Sequence, residues 1–250
     1  MKAIILAAGA SKRLRPMTDN IPKCLIKIGR KSIIDYQIEA LTNSGITNIF
    51  IVVGYLAEKI MKHLTLTYPD INFRFIYNPY YMRTNTIYSL WLASSEMNED
   101  FVYLNADVLF DKKIIKNLVE SPFRNCLAIS HQKCSDEEVK VIEVKVIIDT
   151  NNLVKDIGKD IDPKQSDGEF IGIAKFSKEF NIHFKNKVDY LVREGKVNAF
   201  FELALKELIH LSQLYVIDVN NLPYIEIDFL NDLEKAKRDI YPLIDNVEGT

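Results

Sequence analysis

Two carboxylates far apart in the chain, Asp107 in YLNADVLFD and Asp228 in LPYIEIDFLNDLEKA, each stand just past an apolar, strand-like run. A carboxylate at that point reaches into the cleft beyond a sheet, and two of them make an oxygen-rich site suited to magnesium beside a triphosphate. The complementary cations lie near the N-terminus. Residues 3–23, AIILAAGASKRLRPMTDNIPK, pass from an apolar strand through a small-residue turn to Lys12, Arg13 and Arg15, with no acid before Asp19. Ala8, Gly9 and Ala10 carry almost no side chain, so a base or phosphate can approach their backbone. Pro22 stiffens the chain ahead of Lys23 and makes that lysine a fixed point charge for a phosphate. Together these groups predict recognition of a nucleoside triphosphate. The dinucleotide fingerprint GxGxxG and the phosphate loop GxxxxGK followed by Ser or Thr are both absent. Asp111 and Asp232 fit a different role, as acids at helix starts.

A second set of candidates lies beyond residue 121. Lys159, in DIGKD, ends a β-like segment and Lys140 lies in another; either can hold an acceptor phosphate, against the alternative of a solvated surface lysine. In NPYYMRTNTIYSLWLA, residues 78–93, Thr84 or Asn85 can cap a helix, and the spacing of Tyr88 and Trp91 suits core packing. Tyr80, Tyr81, Phe200, Phe201 and Tyr224 are aromatic candidates for a cage around a quaternary amine, if several converge.

The elements that must position these groups alternate regularly in the first half. Strands are expected at 3–7, 48–54, 73–77 and 101–105, and helices at 32–44, 57–67, 84–97 and 112–120. This order predicts a mostly parallel sheet with helices on both faces and ligands at the carboxyl ends of its strands. From about 121 the pattern turns β-rich, with strands at 125–131, 139–148, 153–158 and 169–176. Helices follow at 177–194 and 199–211, then strands at 214–219 and 224–227 and a last helix at 230–240. One α/β domain over 1–250 is expected: a nucleotide-binding core (1–121), an acceptor-binding region (122–228) and a C-terminal helix (229–250).

Composition bounds the rest. The 250 residues are 48% hydrophobic, enough for a substantial core, and the formal charge of -2 gives no basic field for nucleic acid. The three cysteines form no CxxC pair and the four histidines have no metal-ligand spacing, as in a reduced, cytoplasmic protein without structural zinc. No apolar stretch reaches the ~20 residues of a membrane span. The opening apolar run is short for an export leader, and basic residues follow its one cleavage-like region. A homodimer is compatible with the sequence, which does not specify one.

Taken in order, LAAG, Ser11, Arg13, Leu14, Pro16, Thr18, Pro22, Lys23, TNTIYSLWLA, LNADVLFD, IGKD, DGEFIGIAKFS and LPYIEID resemble the sugar-nucleotide pyrophosphorylase superfamily, in its phosphocholine cytidylyltransferase-like branch. The resemblance spans nearly the whole chain and implies a Rossmann-like, GT-A-like nucleotidyltransferase fold: a mostly parallel mixed sheet flanked by helices, with a β-rich acceptor region. It implies that Leu6, Ala7, Ala8 and Gly9 surround the base and ribose, that Arg13 and Lys23 grip the triphosphate, and that Asn85, Ser89 and Asn105 orient the nucleotide. Asp107 and Asp228 would hold Mg2+; Lys159 and Lys140 would place the acceptor phosphate, with Glu169, Asn198 and Tyr224 as further acceptor-site residues. The implied substrates are CTP and a small phosphorylated alcohol, such as phosphocholine, or a phosphonate. The implied alternative is a sugar-1-phosphate nucleotidylyltransferase using UTP or dTTP. Departures from the branch pattern are Ala10 for a second glycine, Tyr224 for tryptophan and Phe200-Phe201 for paired tyrosines. A glycosyltransferase would carry Asp-x-Asp where this chain has Asn105-Ala106-Asp107, and a non-catalytic nucleotide-binding regulator has no need of Lys23, Asp107 and Asp228 together.

Overall fold

The structure, a computed structural model, describes residues 1–131 and 143–245. It begins with Lys2–Ala7 (β1), buried along its whole length. Alternate residues serve opposite faces: Ala3, Ile5 and Ala7 join one core cluster, and Ile4 and Leu6 the other. That double burial is what a central strand of a two-sided sheet requires. The chain then forms a short hairpin, Lys27–Ile28 (β2) with Lys31–Ser32 (β3), before helix Ile33–Asn43 (α1). Next come Asn48–Val53 (β4), Ala57–Thr67 (α2), Asn72–Tyr77 (β5), Thr86–Leu92 (α3) and Phe101–Asn105 (β6). Strands β6, β1, β4 and β5 lie side by side in parallel. Helices α1 and α2 cover one face through Ile34, Ile38, Ile60 and Leu64, and α3 covers the other through Ile87 and Leu90.

The second half extends the same sheet. Val108–Phe110 (β7) and Lys113–Glu120 (α4) lead to Cys126–Ser130 (β8), Lys145–Ile148 (β9), Val154–Gly158 (β10) and Gly168–Phe176 (β11). Strand β11 runs antiparallel to β6 and pairs on its other edge with both β9 and β8. Its register breaks between Phe170 and Ala174, where Gly172 has φ +76°. A Cβ there would stand 2.7 Å from Asn105 Nδ2, so glycine is required by both the backbone and its neighbour. Lys178–Arg193 (α5), Glu202–Lys206 (α6), Tyr215–Asp218 (β12), Tyr224–Glu226 (β13), Leu230–Lys235 (α7) and Tyr241–Asp245 (α8) complete the order. No helix among the described residues is long and apolar enough to cross a membrane.

Several expected elements differ. The helix expected over 84–97 stops at Leu92, and Ser94–Glu96 forms a separate 3₁₀ turn. The helix expected over 199–211 is only Glu202–Lys206, since the preceding backbone is committed elsewhere. Val197 and Ala199 carbonyls accept from the N–H groups of Asn85 and Ile87, and Phe201 N–H donates to Thr86 Oγ1. The last helix continues past 240 through a π turn, Ala236–Ile240, with Pro242, which has no N–H for the regular ladder, two residues beyond it. Of the strand expected over 139–148, residues 139–142 lie outside the described residues, and the strand begins at Lys145.

The pairing that matters most for the site was not apparent from the pattern. Strands β7 and β13, three residues each, pair antiparallel with Glu226 opposite Val108. This small sheet packs on a third apolar cluster, including Leu14, Ile26, Ile28, Leu109, Ile227 and Leu233, which joins the N-terminal loop to α7.

Candidate active site

Asp107 sits in the turn between β6 and β7, and Asp228 lies just past β13. The β7–β13 pairing and the hydrogen bond from Ile227 N–H to the Asp107 carbonyl (3.1 Å) fix the two turns against each other. Gln37 of α1, fully buried, steadies the first turn from beneath. Its Nε2 donates to the carbonyls of Asn105 and Val108, 2.9 Å each, on either side of Asp107.

The cations arrive from the N-terminal loop. Lys23 Nζ lies between the two acids, 2.7 Å from Asp107 Oδ2 and 2.9 Å from Asp228 Oδ1, and Arg13 Nη1 lies 3.1 Å from Asp228 Oδ2. Burial works against the Lys23 charge, but Asp107 and then Asp228 outweigh it and hold the ammonium protonated well above the usual lysine range. Burial likewise opposes the Asp228 charge, yet Lys23, then Arg13, keeps its carboxyl below the ordinary aspartate value.

A third acid completes the cluster. Carboxylate oxygens of Asp107, Glu226 and Asp228 lie within 4.8 Å of one another. Burial, with Asp107, Glu143 and Asp228 nearby, pushes Glu226 well above the usual carboxylate range, while Asp107 Oδ1 is buried without a hydrogen-bond partner among the described residues. An excess of crowded carboxylate oxygens, one of them orphaned, is the donor set that a hard divalent cation satisfies. Glu226 escaped the sequence reading although its signal was present: it ends β13, two residues before Asp228.

These groups line one cavity of about 430 Å³ at the carboxyl ends of β1 and β6. Leu6, Ala7, Ala8 and Gly9 form its floor, with Arg13 and Lys23 at one side and Asn85, Ser89 and Asn105 at another. Asn85 caps α3 by accepting from Thr86 N–H, Ser89 Oγ accepts from Asn78 Nδ2 at 3.1 Å, and Asn105 Oδ1 accepts from Tyr103 OH at 2.6 Å. Asp111 and Asp232 have the capping roles expected of them: Asp111 accepts from Lys113 N–H, and Asp232 from the N–H groups of Asp228 and Phe229.

The far wall carries Lys159, Phe170, Phe200, Glu143 and Glu202. Lys159 Nζ stands 3.9 Å from the centre of the Phe200 ring. Lys145, buried, donates to the carbonyls of Glu143 and Lys159 and so ties two pieces of this wall together. Burial pushes the Glu202 carboxyl up to about 7, with Lys159 opposing. Burial, then Glu169 and Asp228, pushes Glu143 up to about 7 as well. Neither acid was singled out from sequence, because nothing local marks an acid for burial.

Three expected acceptor residues do not line the cavity. Asn198 is exposed on the segment before α6. Glu169 lies in β11, paired with Ser130 and Lys145 on the neighbouring strands. Tyr224 begins β13 opposite Phe110, with its hydroxyl held by Ser130. Lys140 lies outside the described residues. The aromatic cage does not assemble either: Tyr80 is exposed against Tyr88, and Phe201 is fully buried against Tyr103.

Comparison with known proteins agrees with this geometry. The family model described as nucleotidyl transferase matches residues 2–142. The CTP:phosphoglutamine cytidylyltransferase of Campylobacter jejuni is 31% identical, the match covering 94% of this chain and 98% of that protein. The choline-phosphate cytidylyltransferase of Streptococcus pneumoniae is 30% identical over 95% of this chain and 97% of its own. The solved structure of a CTP:phosphocholine cytidylyltransferase from Streptococcus pneumoniae superimposes with a TM-score of 0.80 at 28% identity, covering 94% of this chain and 97% of that one. A cleft that gathers fixed cations and three carboxylates at the end of a parallel sheet, together with these matches, places the chain in the nucleotidyl transferase family, as an enzyme of that class.

Proposed function

We propose that the enzyme transfers CMP from CTP to a small phosphorylated alcohol, with phosphocholine the first such acceptor to consider, releasing pyrophosphate and a CDP-linked product. The observation that carries this reading is Lys23, held between Asp107 and Asp228 at the mouth of the β1 loop. An acceptor phosphate oxygen forms the new bond to the α-phosphorus of CTP, and the bond from that phosphorus to the bridging oxygen breaks, its electron pair leaving with pyrophosphate. The acceptor phosphate has a second pKa near ~6, so its attacking oxygen is already unprotonated at neutral pH and no general base is needed. Lys23 and Arg13 neutralise charge on the triphosphate, and Lys159 holds the acceptor phosphate in line from the opposite wall. Asp107, Glu226 and Asp228 would hold Mg2+, which when bound adds positive charge beside the phosphates.

The decisive measurement is pyrophosphate release from each of the four nucleoside triphosphates, offered with phosphocholine, 2-aminoethyl phosphate, glycerol 3-phosphate, inositol 1-phosphate and glucose 1-phosphate. CTP with a phosphorylated alcohol is the expected productive pair; productive turnover with UTP or dTTP and glucose 1-phosphate alone would overturn the proposal. Asp107→Ala should abolish turnover and leave the circular dichroism spectrum unchanged. Wild-type rates for that variant with magnesium present would overturn the proposed role of the acid cluster.

A further inference from the structure

We propose that Glu202 selects the acceptor by binding a protonated primary amine, so that the preferred acceptor is a phosphate ester ending in an N–H-bearing ammonium rather than a trimethylammonium or a neutral polyol. This rests on the CMP-transfer reading and narrows its acceptor. Glu202 is 5% exposed and lines the cavity beside Phe200, and its buried Oε2 has no hydrogen-bond partner among the described residues. In its ionised form that carboxylate only accepts, so whatever then completes it must donate. Lys159, on the same wall, is placed for the phosphate end of the same molecule.

The alternatives fit less well. A trimethylammonium has no N–H and depends on several ring faces closing around it. Here the Phe200 face is taken by Lys159, and Phe170 is 2% exposed in the core. Tyr81 belongs to the nucleotide side, its Cβ packed near Gly54 and the Ala8 carbonyl. Residues 132–142 and 246–250 contain no aromatic residue, so no further ring can come from them. A neutral polyol brings no positive charge to the buried Glu202 carboxylate.

The test compares 2-aminoethyl phosphate, phosphocholine and glycerol 3-phosphate as acceptors for the full-length enzyme with CTP and Mg2+, reading kcat/KM from pyrophosphate release. In the wild type, 2-aminoethyl phosphate should exceed both others by about tenfold or more. Glu202→Gln should raise the KM for 2-aminoethyl phosphate, narrow its advantage over phosphocholine to about threefold or less, and leave the KM for CTP within about twofold. Glu202→Asp, which keeps the charge, should retain part of the preference and guards against a simple packing defect. Equal or better use of phosphocholine by the wild type, or an unchanged acceptor ratio in Glu202→Gln, would overturn the inference while the CMP-transfer reading stands. Absence of pyrophosphate from CTP with every acceptor would overturn that reading, and the inference with it.

Discussion

The two walls of the cleft handle charge in opposite ways. On the nucleotide side, Lys23 and Arg13 are already paired with Asp107 and Asp228, so an entering triphosphate exchanges one set of ionic partners for another. On the side we assign to the acceptor, Glu202 is buried with an oxygen that has no hydrogen-bond partner among the described residues, and its carboxyl is pushed up to about 7. The contrast teaches that the cations of the first wall are paired before substrate arrives, whereas on the proposed reading the buried acid of the second is completed by its substrate.

The largest effect expected from this contrast is on Lys23. Lys23→Met leaves Asp107 and Asp228 facing each other without their shared cation and removes a fixed charge from the triphosphate; kcat should fall by about 10²–10³-fold, as for loss of one preorganised electrostatic contact. A loss confined to the acceptor KM would break the assignment of Lys23 to the nucleotide wall. Next comes Gln37→Leu, which strips both hydrogen bonds from the carbonyls flanking Asp107. It should lower stability by about 1–3 kcal/mol in denaturant titration and raise the Mg2+ concentration for half-maximal rate, with the acceptor preference unchanged.

A smaller effect, outside the cleft, serves as control. Asp35 in α1 accepts from Ser32 N–H and Oγ–H, from Tyr68 OH and from His63 Nε2, tying the start of α1 to α2 and the loop that follows it. Burial opposes its charge, but the Ser32 and His63 hydrogen bonds outweigh this and hold its carboxyl below the usual value. The stability it contributes is therefore complete above the unfolded pKa of about 3.9 and disappears as pH falls through the lower folded value. Asp35→Asn should cost roughly 1–2 kcal/mol at pH 7 and flatten the acid limb of the stability profile. Acceptor preference should not move; if it did, the walls would not be separable by charge.

The nucleotide wall was legible in the sequence because its residues announce themselves locally. An apolar strand followed by Ala-Ala-Gly, a lysine after proline, and an aspartate at the end of a strand are patterns within a few residues. Even Glu226, which was overlooked, stands only two residues before Asp228. The acceptor wall has no such marks. Phe200 and Phe201 are adjacent and identical in type, yet one borders the cavity and the other fills the core, a difference set by strands far away in sequence. Glu202 and Glu143 are two among 34 acidic residues, and only the tertiary fold distinguishes an acid that is buried from one that is solvated. The same limit explains the shortened helix after Phe201: its backbone partners lie more than a hundred residues earlier.

Those partners carry a consequence for how such enzymes diversify. Because the 197–201 segment serves as the missing first turn of α3, the polypeptide we assign to the acceptor also holds in place the start of α3, whose Asn85 and Ser89 line the proposed nucleotide wall. Acceptor specificity is therefore not a detachable module. A lineage that rewrites this segment to accept a new alcohol must preserve its main-chain path, so change is channelled into side chains, and loop insertions or deletions here would be penalised through the nucleotide site.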